Sequence, residues 1–217
     1  MKHNARSPVV ILGGGPTGLG SAYMLNTWGC DDWVLYEKED ATGGLSRSFR
    51  YEHWYTWDIG GHVTFSHYGL FTNLLDHLVP DHEWVHHDRE SWIRMGNGWI
   101  PYPFQNNIHR LDRAACAECI DGLIRAATRE AVRPKNFKEF IEFTFGEGIS
   151  RLFMKPYNSK VWDYPLEDMD YAWIGDRVSV PDVSRVARNI ALRRDDVAWG
   201  PNNRFRFPKH GGTGGIW

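Results

Sequence analysis

The sequence predicts an α/β fold: a strand–turn–helix–strand unit with a parallel sheet, carrying a helical insertion. Three observations predict it. Pro8 to Leu12 is a short, continuous, β-branched run, as a strand buried in a parallel sheet is. A glycine-rich turn follows at once and leads into a helical pattern. Between Asp112 and Arg194 the apolar residues recur with helical spacing.

The elements follow in order. Thr17 to Trp28 reads as a helix, with Leu19, Ala22, Tyr23 and Leu25 near one face and Gly29 closing it. Trp33 to Glu37 is a second strand. Asn97-Gly98, flanked by Ser91–Met95 and Trp99–Ile100, signals a hairpin. Asp112 to Ala131 carries the stripe Cys116, Ile120, Leu123, Ile124 and Ala127. Asn136, with Glu139 three residues on, caps a helix faced by Phe137, Phe140, Ile141 and Phe145, which Gly146 and Gly148 end. Asp182 caps a third, through Val183, Val186, Ala187 and Ile190. Arg204 to Pro208 alternates like a strand, and Gly211–Gly215 with Ile216-Trp217 reads as the turn and first residues of a further helix, so a truncated protein is expected.

Composition narrows the function. Twenty-five basic residues against 27 acidic give a net charge of −2, which excludes nucleic-acid binding by bulk electrostatics. A hydrophobic content of 42% excludes a disordered or collagen-like chain. Three cysteines make no disulfide framework. Val9–Leu12 is too short for a secretory core and no segment reaches membrane length, so a cytoplasmic protein with no membrane partner is expected. The 11 Trp, 9 Tyr and 11 Phe exceed what a core of this size needs, and point to a site for flat or sugar-like ligands.

Gly13-Gly14-Gly15-Pro16-Thr17-Gly18 fits G-x-G-x-x-G between a strand and a helix. Gly13 makes the turn, Gly15 lets a pyrophosphate approach the backbone, and Gly18 lets helix and strand pack closely. Glu37 ends the next strand about 20 residues on, where a carboxylate grips a ribose hydroxyl. This is the context of a Rossmann-like dinucleotide site. Gly43-Gly44-Leu45-Ser46 comes so soon after Glu37 that FAD is favoured over NAD. Asp58-Ile59-Gly60-Gly61-His62 can hold an imidazole against a planar ring. His82, His86 and His87 lack the acid or thiol that would complete a metal set, so no metal is expected, and their stretch reads as a solvated loop. Cys116 and Cys119 lie inside a helix pattern and read as buried small side chains. Pro101–Asn107 and Pro156–Trp162 each mix prolines, rings and amides that could stack on a base and read its edge, or simply pack as loops. Arg177 could fork onto a diphosphate.

These runs, with Phe65-Ser66-His67-Tyr68, Lys155-Pro156-Tyr157-Asn158, Val161-Trp162 and Gly200-Pro201-Asn202, resemble the UDP-galactopyranose mutase family, its eukaryotic-like branch, from about Val9 to Trp217. The resemblance implies a flavin-dependent isomerase interconverting UDP-galactopyranose and UDP-galactofuranose through a flavin N5–sugar adduct, with reduced FAD and no net redox change. By similarity Gly13, Gly15, Thr17, Gly18, Glu37, Lys38, Gly44, Leu45, Ser46, Gly60, Gly61 and His62 hold FAD, His62 near N5. Phe65, Tyr102, Phe104, Gln105, Tyr157, Asn158 and Trp162 form the uridine pocket. Arg177 binds the diphosphate and Asn202 lies near the sugar, with His62 and Arg177 the catalytic pair. NADPH is a candidate reductant, assisted by Arg89, and a homo-oligomer is left open. Family members are about twice this length. The expected organisation is a FAD-binding Rossmann-like unit with hairpin over 1–111, a helical substrate-binding insertion over 112–194, and an incomplete return over 195–217. Two competing readings are an FAD-dependent oxidoreductase of the amine-oxidase type, which has no need of a uridine pocket, and a non-catalytic fragment.

Overall fold

In a computed structural model the described residues are 8–52, 54–175, 178–198 and 203–217. The chain runs β1 (Val9–Leu12), α1 (Pro16–Thr27), β2 (Trp33–Tyr36), β3 (Ser48–Tyr51), β4 (Tyr55–Asp58), α2 (Gly69–Leu78) and β5 (Trp84–Asp88). It continues through β6 (Trp92–Met95), β7 (Gly98–Pro101), α3 (Arg113–Thr128), α4 (Phe137–Ile149), α5 (Lys155–Trp162), α6 (Val183–Leu192) and β8 (Arg204–Pro208). Two units result: Met1–Asp88 with Arg204–Trp217, and Arg89–Asn203.

In the first unit β1 and β2 pair in parallel, Val9 opposite Trp33 through Leu12 opposite Tyr36, with α1 as the connection between them. Pro16 stands in the first turn of α1, where its missing N–H costs nothing, and Gly29 (φ 71°) follows the helix end. β3 and β4 form an antiparallel hairpin with the ring pairs Phe49–Trp57 and Tyr51–Tyr55 facing across it. β5 pairs antiparallel with β8, Trp84 opposite Pro208.

The second unit has its core on α3 and α4. Phe104, Phe137, Phe145, Ile108, Ile141 and Ile149 are fully buried there. Glycine sets the helix crossing. A Cβ on Gly146 (φ 70°) would stand 2.2 Å from the Gly122 carbonyl, and one on Gly148 would stand 2.8 Å from the Cys119 backbone. Asp112, Asn136 and Asp182 cap their helices through the N–H groups of Ala115, Glu139 and Arg185.

Several expectations need revision. The hairpin turn is Gly96-Asn97, with Met95 opposite Gly98; only Gly96 (φ 55°) takes a left-handed conformation, as a turn with glycine first requires. Ile93, Met95 and Ile100 of that hairpin pack into the helical core, so the second unit begins at Arg89 rather than 112 and runs to Asn203 rather than 194. His86 and His87 lie on β5 rather than in a solvated loop, and the His87 ring stacks on Phe205 at 5.3 Å. Pro156–Trp162 is helical, not a loop: α5 runs on from a π-turn at Ser150–Met154, and Pro156 sits in its first turn. Cys119 is fully buried, which pushes its thiol up to about 12; Cys116 is half-buried and raised for the same reason.

Candidate functional site

The glycine turn of the first unit is built for close approach. Gly13 (φ 101°) turns the chain out of β1, and its N–H donates to the Tyr36 carbonyl at 2.7 Å. A Cβ on Gly18 would stand 1.9 Å from the Gly13 carbonyl oxygen, so no other residue lets α1 start this near the strand. Gly15 caps α1 without a side chain, leaving the positive end of the helix open to an anion. Gly43 donates to the Gly14 carbonyl at 2.9 Å, and a Cβ on Gly44 (φ 51°) would lie 3.2 Å from the Gly15 Cα. The second glycine pair is thus laid directly against the first.

Glu37 follows β2 and is locked in place. Its Oε1 accepts the N–H groups of Lys38 (2.7 Å) and Glu39 (2.9 Å), and its Oε2 accepts the Gly14 N–H. The Glu39 and Gly14 N–H groups chiefly hold this carboxyl below the usual range. A carboxylate offers about four acceptor positions, so Oε2 retains one for a ribose hydroxyl. A Rossmann-type dinucleotide fits these residues. Lys38 reaches solvent and pairs with Glu39 at 3.4 Å. Thr17 and Leu45 are exposed, and Ser46 is half-buried.

Gly60 (φ 87°) gives His62 its place: a Cβ there would lie 3.7 Å from His62 Cε1, so the imidazole folds back over the glycine. Gly61 and His62 are both exposed. Phe65 lies in this unit beside the bridge between Thr64 and Arg206, lining a cavity of about 180 Å³ with Thr72 and Leu75. The C-terminal glycine run docks on the same loops. Thr213 N–H donates to Asp58 at 3.1 Å, its hydroxyl donates to the Ser46 carbonyl at 3.3 Å, and Gly214 N–H donates to Ser48 Oγ at 2.7 Å.

In the second unit the expected uridine-pocket residues fall into two groups. Phe104, Phe153 and Tyr157 form a continuous stack, with centroids 4.6 and 5.0 Å apart. Phe104 is the buried end and Tyr157 the exposed end, so Phe104 supports the stack rather than presenting a face. Burial and then the neighbouring Tyr157 push the Tyr102 phenol up to about 12. Gln105 is buried; its Nε2 donates to the Ser179 carbonyl, while its Oε1 has no partner among the described residues. Asn158 is turned inward and donates to the Met154 carbonyl at 2.7 Å. Trp162 packs edge-on to Trp173 at 4.9 Å. Arg177 and Asn202 lie outside the described residues.

Residues 11–78 match the family model of the NAD(P)-binding Rossmann-like domain. A solved structure, the crystal structure of reduced UDP-galactopyranose mutase, is similar over 97% of this chain at 49% identity, with a TM-score of 0.91. The chain belongs to the UDP-galactopyranose mutase family. It spans 45% of the length of that family member. The solved structure of a CLA-producing fatty acid isomerase from P. acnes is similar over 87% of this chain and 51% of that one, at 14% identity with a TM-score of 0.38.

One part of this site escaped the sequence. Asn107 lies in the motif read as base-recognising, yet its amide is spent inward. The two hydrogens of its Nδ2 are shared among the carbonyls of Pro101 (3.1 Å), Pro103 (2.9 Å) and Asp196 (2.8 Å), and its Oδ1 accepts the Asp196 N–H at 2.8 Å. Asn189 and Arg185 bind the same Asp196. An amide between two prolines' carbonyls and a residue 89 positions away is a tertiary feature with no local signal.

Proposed function

We propose that this chain supplies the FAD- and uridine-binding portion of a flavin-dependent isomerase that interconverts UDP-galactopyranose and UDP-galactofuranose and needs reduced FAD. The single observation that carries this is the 49% identity to reduced UDP-galactopyranose mutase across 97% of the chain. The glycine cradle supports it.

The α1 N-terminus faces the pyrophosphate with its free N–H groups, and Glu37 accepts a ribose hydroxyl. Gly15 and Gly44 keep the backbone bare where the cofactor lies. Reduced FAD, held there, would supply nucleophilic chemistry without net redox change. His62 would lie near the flavin ring. Gln105, Tyr157 and Trp162 belong to the uridine pocket, where the two exposed rings offer the uracil their faces. Arg177 takes the diphosphate and Asn202 the sugar. NADPH serves as reductant with help from Arg89. Titrating the chain with FAD and with NAD, followed by fluorescence, tests the cofactor assignment. FAD is expected to bind at least tenfold more tightly, and addition of UDP to perturb the flavin spectrum. Preference for NAD would overturn the assignment.

A further inference from the structure

The second unit gathers several elements on one carboxylate. Asp196 follows α6, and its side chain is 9% exposed. Arg185 forks onto it, Nε to Oδ2 and Nη2 to Oδ1. Asn189 Nδ2 donates to Oδ2 at 3.2 Å, and the Ala198 N–H donates to Oδ1 at 3.3 Å. A carboxylate offers about four acceptor positions, so all of them are taken. Arg185 and Asn189 stand four residues apart on α6 and so share a face. The Asp196 backbone is held as well, by both ends of the Asn107 amide. Burial opposes the charge, but the bonds from Arg185, Asn189 and Ala198 outweigh it and hold the carboxyl below its usual range.

These bonds fix the chain on one side of Asn202, which comes six residues after Asp196. On its other side the Asn203 carbonyl accepts the Arg89 N–H at 2.7 Å. The neighbouring Asp195 is bound by His109 at 3.1 Å and by the Arg110 guanidinium at 2.8 Å. The segment that carries Arg177 has an anchor of its own, the bond from Gln105 to Ser179 two residues on. A buried ion pair adds little net stability over an apolar replacement, because desolvation offsets the attraction. Its best-attested use is to fix one arrangement. Here the arrangement is that of the chain leading to Asn202.

We propose that Asp196 is a positioning residue: clamped by Arg185 and Asn189, it sets Asn202 against the sugar of a bound UDP-sugar. It acts through the backbone and not on the substrate. The uridine is held by other residues, so the clamp matters only to a ligand that carries the sugar. An asparagine at 196 turns one pair of acceptors into donors, which face the donors of Arg185 and its neighbours, and so breaks the clamp with little change in side-chain size. The inference rests on the uridine-pocket reading and adds to it the residues that place the sugar contact.

The test is calorimetric titration of the chain with UDP and with UDP-galactopyranose, which differ only in the sugar. Asp196→Asn and Arg185→Gln should bind UDP within twofold of the parent and UDP-galactopyranose at least fivefold more weakly. Arg185→Lys keeps the charge but not the fork, and should fall between. A merely structural role, or partial unfolding, would weaken both ligands alike. Amide exchange reads the anchor without any ligand: at Asp196 and Ala198 it should speed at least tenfold in Arg185→Gln, with the core amide of Cys119 unchanged. Equal weakening of the two ligands, no weakening of either, or unchanged exchange at Asp196 and Ala198 would overturn the proposal. A parent chain that binds neither ligand would overturn the uridine-pocket reading, and this inference with it.

Discussion

Gly18 and Gly20 lie two residues apart in α1, and alanine should act on them with opposite sign. At Gly18 the added Cβ would meet the Gly13 carbonyl oxygen at 1.9 Å, the Gly13 carbonyl carbon at 3.1 Å and Ile11 Cγ2 at 3.3 Å. Ordinary contact begins near 3.4 Å, so helix and turn must separate by more than an ångström, and the obstacle is backbone. Overpacking of this kind costs about 1–3 kcal/mol or more, and the gain of roughly 1 kcal/mol in helix propensity offsets only part of it. At Gly20 nothing lies within 4 Å. There the propensity gain stands alone, at roughly 0.5–1 kcal/mol. Thermal unfolding followed by circular dichroism reads both. For a chain of this size about 1 kcal/mol moves the midpoint by roughly 2–4 °C. Gly20→Ala should raise the midpoint by a few degrees and Gly18→Ala should lower it by several. Gly18→Ala should also abolish FAD binding, because the turn that moves is the one proposed to face the pyrophosphate. A Gly18→Ala protein as stable as its parent would refute the close-approach reasoning.

Three further predictions follow from particular side chains. Asn107→Ala strands buried backbone groups of Pro101, Pro103 and Asp196 at roughly 1–3 kcal/mol each, so the second unit should lose about 3 kcal/mol or more, whereas the cap variant Asn136→Ala should lose about 1 kcal/mol; urea unfolding of the two compares them. Tyr102, raised to about 12 mainly by burial, favours folding while protonated; that contribution is whole below the ordinary value of 10 and is lost as pH rises through 12. Phenolate absorbance should show one late-titrating tyrosine that Tyr102→Phe removes. Glu37 has the opposite sign: its folded value lies below the ordinary 4.5, so its contribution is present above 4.5 and fades as pH falls through the folded value. Glu37→Gln should flatten the acid limb of the stability curve and weaken dinucleotide binding.

What the sequence made legible was local. β1, the glycine turn, α1, β2 and Glu37 could be placed because each carries its own steric or periodic signature, and the caps Asp112, Asn136 and Asp182 were read from single residues. The β3–β4 hairpin and α2 went unread. Phe49, Tyr51, Tyr55 and Trp57 share one face of the hairpin and alternate with the polar Ser48, Arg50, Thr56 and Asp58, a period-2 signal that is only four residues long in each strand, and α2 starts at Gly69 with no side-chain cap. α5 was obscured by Pro156, which is harmless only because the π-turn before it already provides helical backbone. The domain boundary moved because Ile93, Met95 and Ile100 choose their partners by tertiary packing. Gln105 and Tyr157 were singled out by residue type, whereas that Phe104 and Asn107 face inward depends on the stack with Phe153 and on Asp196, both distant in sequence.

The central claim is that these residues serve a flavin used as a nucleophile and regenerated. The most direct measurement joins this chain to the unmatched segment of the family member and follows UDP-galactofuranose under anaerobic conditions, with the flavin oxidised or reduced by dithionite. The account predicts conversion to UDP-galactopyranose with reduced flavin alone, many turnovers for each reducing equivalent, and slower turnover with FAD still bound in His62→Ala. Equal rates with oxidised flavin, or one reductant consumed for each product formed, would contradict it.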